Sequence, residues 1–183
     1  MRKGVLRLIE DYKRVFFRKE YPILDIGGGD GVFLKSQGIS NATIIDATSK
    51  KDMQYNYIYA DLTKKLPKIT KKFKTIFIME TLEHLPNPLY LLAQVYDILD
   101  KEGRVYISIP YTPIGKNLEH QCRWKLKEIL SQTSKLGFVP KVLEARRRFK
   151  NTAFFLPHCW IVLELRKKNI SPSIANIKNY ELC

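Results

Sequence analysis

The sequence predicts an α/β domain built on a mostly parallel sheet. Three observations carry that expectation. Short apolar runs alternate with segments of helical period. The runs lack the strict polar–apolar alternation of half-exposed strands, as expected for strands buried on both faces. The last two runs have no helix between them, which predicts an antiparallel hairpin at a sheet edge. At 183 residues the chain is long enough for one compact domain with short appendages. Apolar residues make up 45% and charged residues 27%, which excludes disorder over most of its length.

The first segment reads as an amphipathic helix. Val5, Leu8, Ile9, Tyr12, Val15 and Phe16 recur at helical spacing, and Arg2, Lys3, Arg7, Lys13, Arg14, Arg18 and Lys19 cover the rest. Residues 1–20 are expected to pack on the core with a solvated basic face. A first strand runs from Tyr21 to Ile26 and ends in Gly27-Gly28-Gly29-Asp30-Gly31; a weak helical pattern follows to Gly38. Ala42 to Ile45, stopped by Asp46, and Tyr55 to Ala60, stopped by Asp61, are the second and third strands. A Lys-rich loop precedes a fourth, Phe73 to Met79. Asn87-Pro88 opens a helix with proline at its first position, and Leu89, Leu92, Val95, Tyr96 and Leu99 form its buried stripe. Lys101-Glu102-Gly103 turns into a fifth strand, Arg104 to Ile109. Trp124 to Lys135 is a further helix closed by Gly137, and Phe138 to Leu143 and His158 to Leu165 are the final hairpin. The domain is thus expected over residues 21–168. Residues 169–183 lack a core pattern and read as a flexible tail.

Composition narrows the classes of partner. With 32 Lys+Arg against 18 Asp+Glu, the net charge is +14, which favours anionic partners. No apolar run approaches the ~20 residues of a membrane span, and peripheral membrane contact is not expected. Cys122, Cys159 and Cys183 form no CxxC pair, so neither a metal site nor a disulfide framework is expected, and a cytoplasmic, reducing compartment is.

The strongest local signal is Asp25-Ile26-Gly27-Gly28-Gly29-Asp30-Gly31. A glycine-rich turn between a strand and a helix lets backbone approach a ligand closely. The dinucleotide pattern G-x-G-x-x-G fails at Val32, and a phosphate-loop GxxxxGK[ST] fails because no glycine precedes Lys35-Ser36. Asp25 and Asp30 would repel a pyrophosphate, so a cationic or zwitterionic ligand suits the turn better.

At these residues the chain resembles the class I S-adenosylmethionine-dependent methyltransferases. Asp25 to Gly31 is similar to their first motif. Asp46 resembles the acid that holds the ribose hydroxyls, with Ala47 beside it, and Asp61-Leu62 the pair around the adenine. Met79-Glu80 and Leu82-Glu83-His84 resemble the end of the family's fourth strand, and Gly137-Phe138 the opening of the sixth. The resemblance spans roughly residues 21 to 165. It implies a three-layer, doubly wound, seven-stranded sheet and S-adenosylmethionine as cofactor. The implied cofactor site is Asp25, Gly27, Gly28, Gly29, Asp30, Gly31, Asp46, Ala47, Asp61, Leu62, Met79 and Glu80. The segment Thr48 to Asn56 departs from the family in being too short for a full second crossover helix. Asn/Asp-Pro-Pro-Tyr and Pro-Cys signatures are absent, which disfavours methylation of base amines and of cytosine C5 by those mechanisms.

His84 and His120 are the candidate bases, by their places after the fourth and fifth strands. Each has a plainer reading, His84 as a loop-orienting side chain and His120 as an exposed one. Glu83 is expected to cap the helix at Asn87. The strand-four resemblance favours a small-molecule oxygen or nitrogen acceptor. RNA or nucleotide methylation, using the basic patches at the N-terminal helix, Lys64 to Lys72 and Arg146 to Lys150, is the alternative. A non-catalytic cofactor-binding protein is the third reading.

Overall fold

The computed structural model describes residues 12–48, 54–110, 121–122, 124–145 and 160–168. Seven strands form one sheet in the order β3-β2-β1-β4-β5-β7-β6. They are β1 (Ile23–Ile26), β2 (Thr43–Asp46), β3 (Asn56–Tyr59), β4 (Phe73–Met79), β5 (Leu99–Pro110), β6 (Phe138–Ala145) and β7 (Trp160–Lys167). The first five are parallel, and β7 lies antiparallel between β5 and β6. The expected architecture, a mostly parallel sheet with an antiparallel edge hairpin, is therefore present. Pro140 falls in β6, the edge strand, where a missing N–H costs no central ladder bond.

Both faces of the sheet are covered, which is why its strands carry apolar residues at consecutive positions. In β1, Leu24 and Ile26 join the core beneath α2 (Pro88–Ile98) and α3 (Leu126–Lys135). Ile23 joins the opposite core, with α1 (Val32–Ser36) and the N-terminal Tyr12, Val15 and Phe17. That second core is aromatic. Phe77 of β4 is fully buried, with ring centroids of Phe33, Tyr106 and Phe17 at 5.0, 5.5 and 5.7 Å. The α2 helix starts as its sequence dictates: the Asn87 side chain accepts from the Tyr90 N–H at 3.1 Å, with Pro88 in the first turn.

Four details differ from expectation. Phe16 is 85% exposed and Phe17 is buried instead, because the chain leaves helical conformation after Tyr12 and the helical register no longer applies. Leu99 belongs to β5, not to the helix stripe; Lys101-Glu102-Gly103 forms a bulge within a longer strand, where the register against β4 shifts. Glu83 caps nothing, since Asn87 caps α2 itself. Cys122 is disulfide-bonded, with its partner outside the described residues, so the expectation of no disulfide fails there. Between β2 and β3 no helix occurs among the described residues, in keeping with the short crossover. Among them, too, no helix is long and apolar enough to cross a membrane.

Phe77→Ala should remove the centre of the aromatic core and lower stability by about 3–5 kcal/mol, read from chemical denaturation. A loss below ~1 kcal/mol would show that the site collapses freely and that this cluster does not organise the face.

Candidate functional site

The strand order reverses between β1 and β4, where adjacent crossovers leave to opposite sides and open a crevice at the carboxyl ends of the strands. The glycine turn sits at this point. Gly27 has φ +76°, and its N–H donates to the Ile45 carbonyl at 2.8 Å. A Cβ there would stand 2.3 Å from Thr81 Oγ1, so only glycine admits both the conformation and the approach to β4. Gly31, at φ +71°, turns the chain into α1 with its missing Cβ against the Tyr55 ring. A Cβ at Gly29, by contrast, would meet nothing within 4 Å.

The turn borders a cavity of about 270 Å³ lined by Asp25, the loop Gly27 to Asp30, Val32, Phe33, Met79, Glu80 and Tyr12. Asp25 is fully buried, and its Oδ2 has no hydrogen-bond partner among the described residues. Burial, then the nearby Asp46 charge, pushes its carboxyl up to about 8. A cation entering the cavity would relieve both effects. Asp46 anchors the turn from β2: it accepts from the Gly29 N–H at 2.9 Å and from the Thr48 N–H and hydroxyl at 2.7 and 2.6 Å. Tyr57 donates to the Gly29 carbonyl from β3.

The opposite wall is held by a polar cluster that sequence reasoning missed. Glu80 adopts φ +49°, a strained value for a side-chain-bearing residue. Ser108 of β5 holds it there: the Glu80 N–H donates to Ser108 Oγ at 2.9 Å, and Glu80 Oε1 lies 2.7 Å from that hydroxyl. The Tyr12 hydroxyl, 3.0 Å from Glu80 Oε1 and 2.7 Å from Ser108 Oγ, completes the triangle. Burial, reinforced by Glu80, raises the Tyr12 phenol well above its usual range, so it serves as a donor. Tyr12 was visible in the sequence only as one apolar-stripe position. Nothing in local spacing could tie it to residues 68 and 96 positions away.

The remaining sequence-predicted residues are distributed unevenly. Asp25, Asp30, Met79 and Glu80 line the cavity with Gly27, Gly28 and Gly29, whereas Gly31, Asp46, Ala47, Asp61 and Leu62 do not. Asp61 ends β3 as a turn residue, accepting from the Thr63 N–H and hydroxyl at 3.0 and 2.6 Å and pairing with Lys64 at 3.1 Å. Leu62 packs against the core. His84 lies in a 3₁₀ turn, Leu82–His84, with a half-exposed ring whose Nε2 is 3.8 Å from Glu83 Oε1. His120 lies outside the described residues. Glu83 is buried, with Oε2 unpartnered among the described residues, and burial followed by the Glu80 charge pushes it up to about 9.

The Glu83 shift fixes the sign of a pH effect. The folded state holds its proton up to about pH 9, whereas the unfolded chain releases it near 4.5. Stability is therefore full below the lower value and falls as pH rises toward the upper one. Glu83→Gln should match the native chain near the low end and exceed it in denaturant resistance at the high end. Equal stabilities throughout would mean that Glu83 is not buried as described.

The comparisons agree with this geometry. A family model described as "Methyltransferase domain" matches residues 1–162. No curated protein sequence matches the chain. Among solved structures, an S-adenosylmethionine-dependent methyltransferase of Thermotoga maritima aligns with TM-score 0.68 at 17% identity, covering 90% of this chain and 89% of that one. The YcgJ protein of Bacillus subtilis aligns with TM-score 0.65 at 14% identity, over 91% and 99% of the two chains. A complex of DhpI with SAH aligns with TM-score 0.60 at 13% identity, over 81% and 77%. Identities this low speak to the fold, and the match over most of the sequence speaks to descent. The chain belongs to the methyltransferase-domain family, with the fold and domain of the class I S-adenosylmethionine-dependent enzymes.

Proposed function

We propose that the chain binds S-adenosylmethionine in the cavity beside Gly27 to Asp30 and transfers its methyl group to an oxygen or nitrogen of a small molecule. The observation that carries this reading is the buried Asp25 Oδ2, without a hydrogen-bond partner among the described residues, beneath a glycine turn at the strand-order reversal. A cofactor bearing an ammonium and a sulfonium suits that acidic wall, and the space in front of Gly29 lets backbone meet it. Asp46 has used three acceptor positions of roughly four, leaving one for a ribose hydroxyl. Ala47, Asp61 and Leu62 are assigned to the adenine side on resemblance.

The cofactor supplies a methyl group already activated as a sulfonium. The chain's contribution is then chiefly alignment, which is worth ~7–11 kcal/mol when reacting atoms are held in near-attack geometry. Tyr12 and Ser108 fix Glu80 in one orientation at the cavity wall, so its carboxylate needs no reorganisation when an acceptor enters. His84 is assigned the role of accepting the acceptor's proton, with His120 as the second candidate. The wall of Tyr12, Phe33 and Met79 is largely apolar and carries no cation for a phosphate chain, which favours a small acceptor over a polynucleotide.

Two outcomes test the reading. Binding of S-adenosylmethionine should favour ionised Asp25, so its affinity should rise with pH until about 8 and level off above, with proton release seen by calorimetry in buffers of different ionisation enthalpy. Asp46→Ala should weaken binding, and an unchanged affinity would remove the assigned ribose contact. With labelled cofactor and a panel of small alcohols, phenols and amines, His84→Ala should slow transfer ~10²–10⁴-fold. Binding without transfer to any acceptor would instead favour a non-catalytic cofactor-binding protein.

A further inference from the structure

A second cavity, of about 310 Å³, lies at the opposite end of the sheet from the glycine turn. It is formed where β1, β2, β3 and β4 begin, and its lining includes Tyr21, Asn41, Thr43, Asn56 and Lys71. The four residues of β1 separate the two cavities by about 13 Å of strand. Nothing in the methyl-transfer reading uses this end of the molecule.

The lining has a specific chemistry. Tyr21 is 52% exposed and presents an aromatic face. Asn41 and Asn56 are exposed, and each carries two donors and an acceptor on one planar amide. Among the described residues neither amide is engaged in a side-chain hydrogen bond. Lys71 stands at the rim, its Nζ 5.6 Å from the centroid of the Phe73 ring. Lys68 and Lys74 flank it in sequence and are exposed, whereas the Lys72 ammonium donates to the Asp97 carbonyl. Glu20, next to Tyr21 in sequence, is paired with Arg18 at 2.8 Å and Arg104 at 3.0 Å.

An exposed ring, free amides and a row of lysines make up the donor set that holds single-stranded nucleic acid. A base stacks on the ring, its edge meets the amides, and successive phosphates meet the cations. One phosphate needs one or two lysines, and Lys68, Lys71 and Lys74, spread over seven residues, suit a chain of phosphates. A membrane surface would call for several apolar side chains beside the cations, and the exposed large side chain in this cleft is Tyr21. We propose that the Tyr21–Asn41–Asn56 cleft, with its lysine rim, docks a single-stranded polynucleotide at the end of the sheet remote from the methyl-transfer cavity. The docked nucleotides are then not the methyl acceptor. They tether the domain and leave its own cavity accessible.

The test uses the full chain and a fluorescent oligouridylate of about a dozen nucleotides, followed by anisotropy across a salt series. Affinity should fall log-linearly with salt, with a slope near −2 for three lysines. Replacing Lys68, Lys71 and Lys74 together by Ala should flatten the slope by about 2. Tyr21→Ala should weaken binding about tenfold while leaving most of the slope. Thermal melting and S-adenosylmethionine affinity should be unchanged in both variants, which separates this site from the cofactor cavity. Three results would overturn the proposal. Binding retained by both variants would place the polynucleotide on other basic residues. Uridine monophosphate competing as strongly as the oligomer would make the cleft a single-nucleotide pocket. Capture by phosphatidylserine vesicles, with no oligomer binding and loss in the same variants, would make it a membrane contact.

Discussion

The architecture of the site depends on how tightly β1 is clamped where it ends. At Gly27 the chain donates to β2 through the Ile45 carbonyl and lies so close to β4 that a single methyl group would overlap Thr81. The strand cannot continue between its neighbours, so it turns outward with positive φ and α1 begins five residues later, at Val32. The cavity is the space this exit leaves. Its floor is β1 itself, which is why Asp25 is buried. Its rim is the glycine loop, tied back to β2 by Asp46 and to β3 by Tyr57. Its far wall is the end of β4, bent into an unusual backbone conformation at Glu80 by Ser108.

The acids around this space work against the stability of the empty protein. Among the described residues no Lys or Arg pairs with Asp25 or Glu83, and each holds its proton well above the ordinary carboxylate range. Water would have stabilised their charged forms, and the fold removes it. Such groups persist where a bound ligand restores the lost interaction or where a proton must be held. Tyr12 shows how the N-terminal segment joins the arrangement, with its ring packed against Phe33 and Trp160 in the aromatic core and its hydroxyl on Glu80. One side chain thus couples packing of that core to the geometry of the cavity.

Charge is segregated along the strands. Asp25, Asp46, Glu80 and Glu83 gather at the carboxyl ends of β1, β2 and β4. Lys68, Lys71 and Lys72 precede β4 and Lys74 is its second residue, and Lys167 and Lys168 arrive at the same end because β7 runs antiparallel. The net charge of +14 is therefore a poor guide to the acceptor in the cavity, whose described walls are acidic or apolar. It is a better guide to the other end of the sheet. The basic run Arg146 to Lys150 lies outside the described residues.

Much of this was legible in sequence. Continuous apolar runs such as Ile76-Phe77-Ile78 meant strands covered on both faces, since each successive side chain points to an opposite face and both need apolar surroundings. Asn87-Pro88 marked a helix start because capping is a local interaction. The spacing of Asp25, Gly27, Gly29 and Gly31 marked a ligand turn because backbone conformation is also local. What the sequence could not determine depended on residues far apart in the chain. Phe17 rather than Phe16 entered the core because the chain is not helical beyond Tyr12, and Phe17 packs on Phe77 of β4 and Tyr106 of β5. Glu83 became a buried acid, not a cap, because it sits within the turn Leu82–His84 and Asn87 caps the helix. Tyr12, Glu80 and Ser108 became one cluster only when the N-terminal segment, β4 and β5 were brought side by side. Local patterns record which elements form, whereas hydrogen bonds and burial across 68 or 96 residues exist only once the strand order is set.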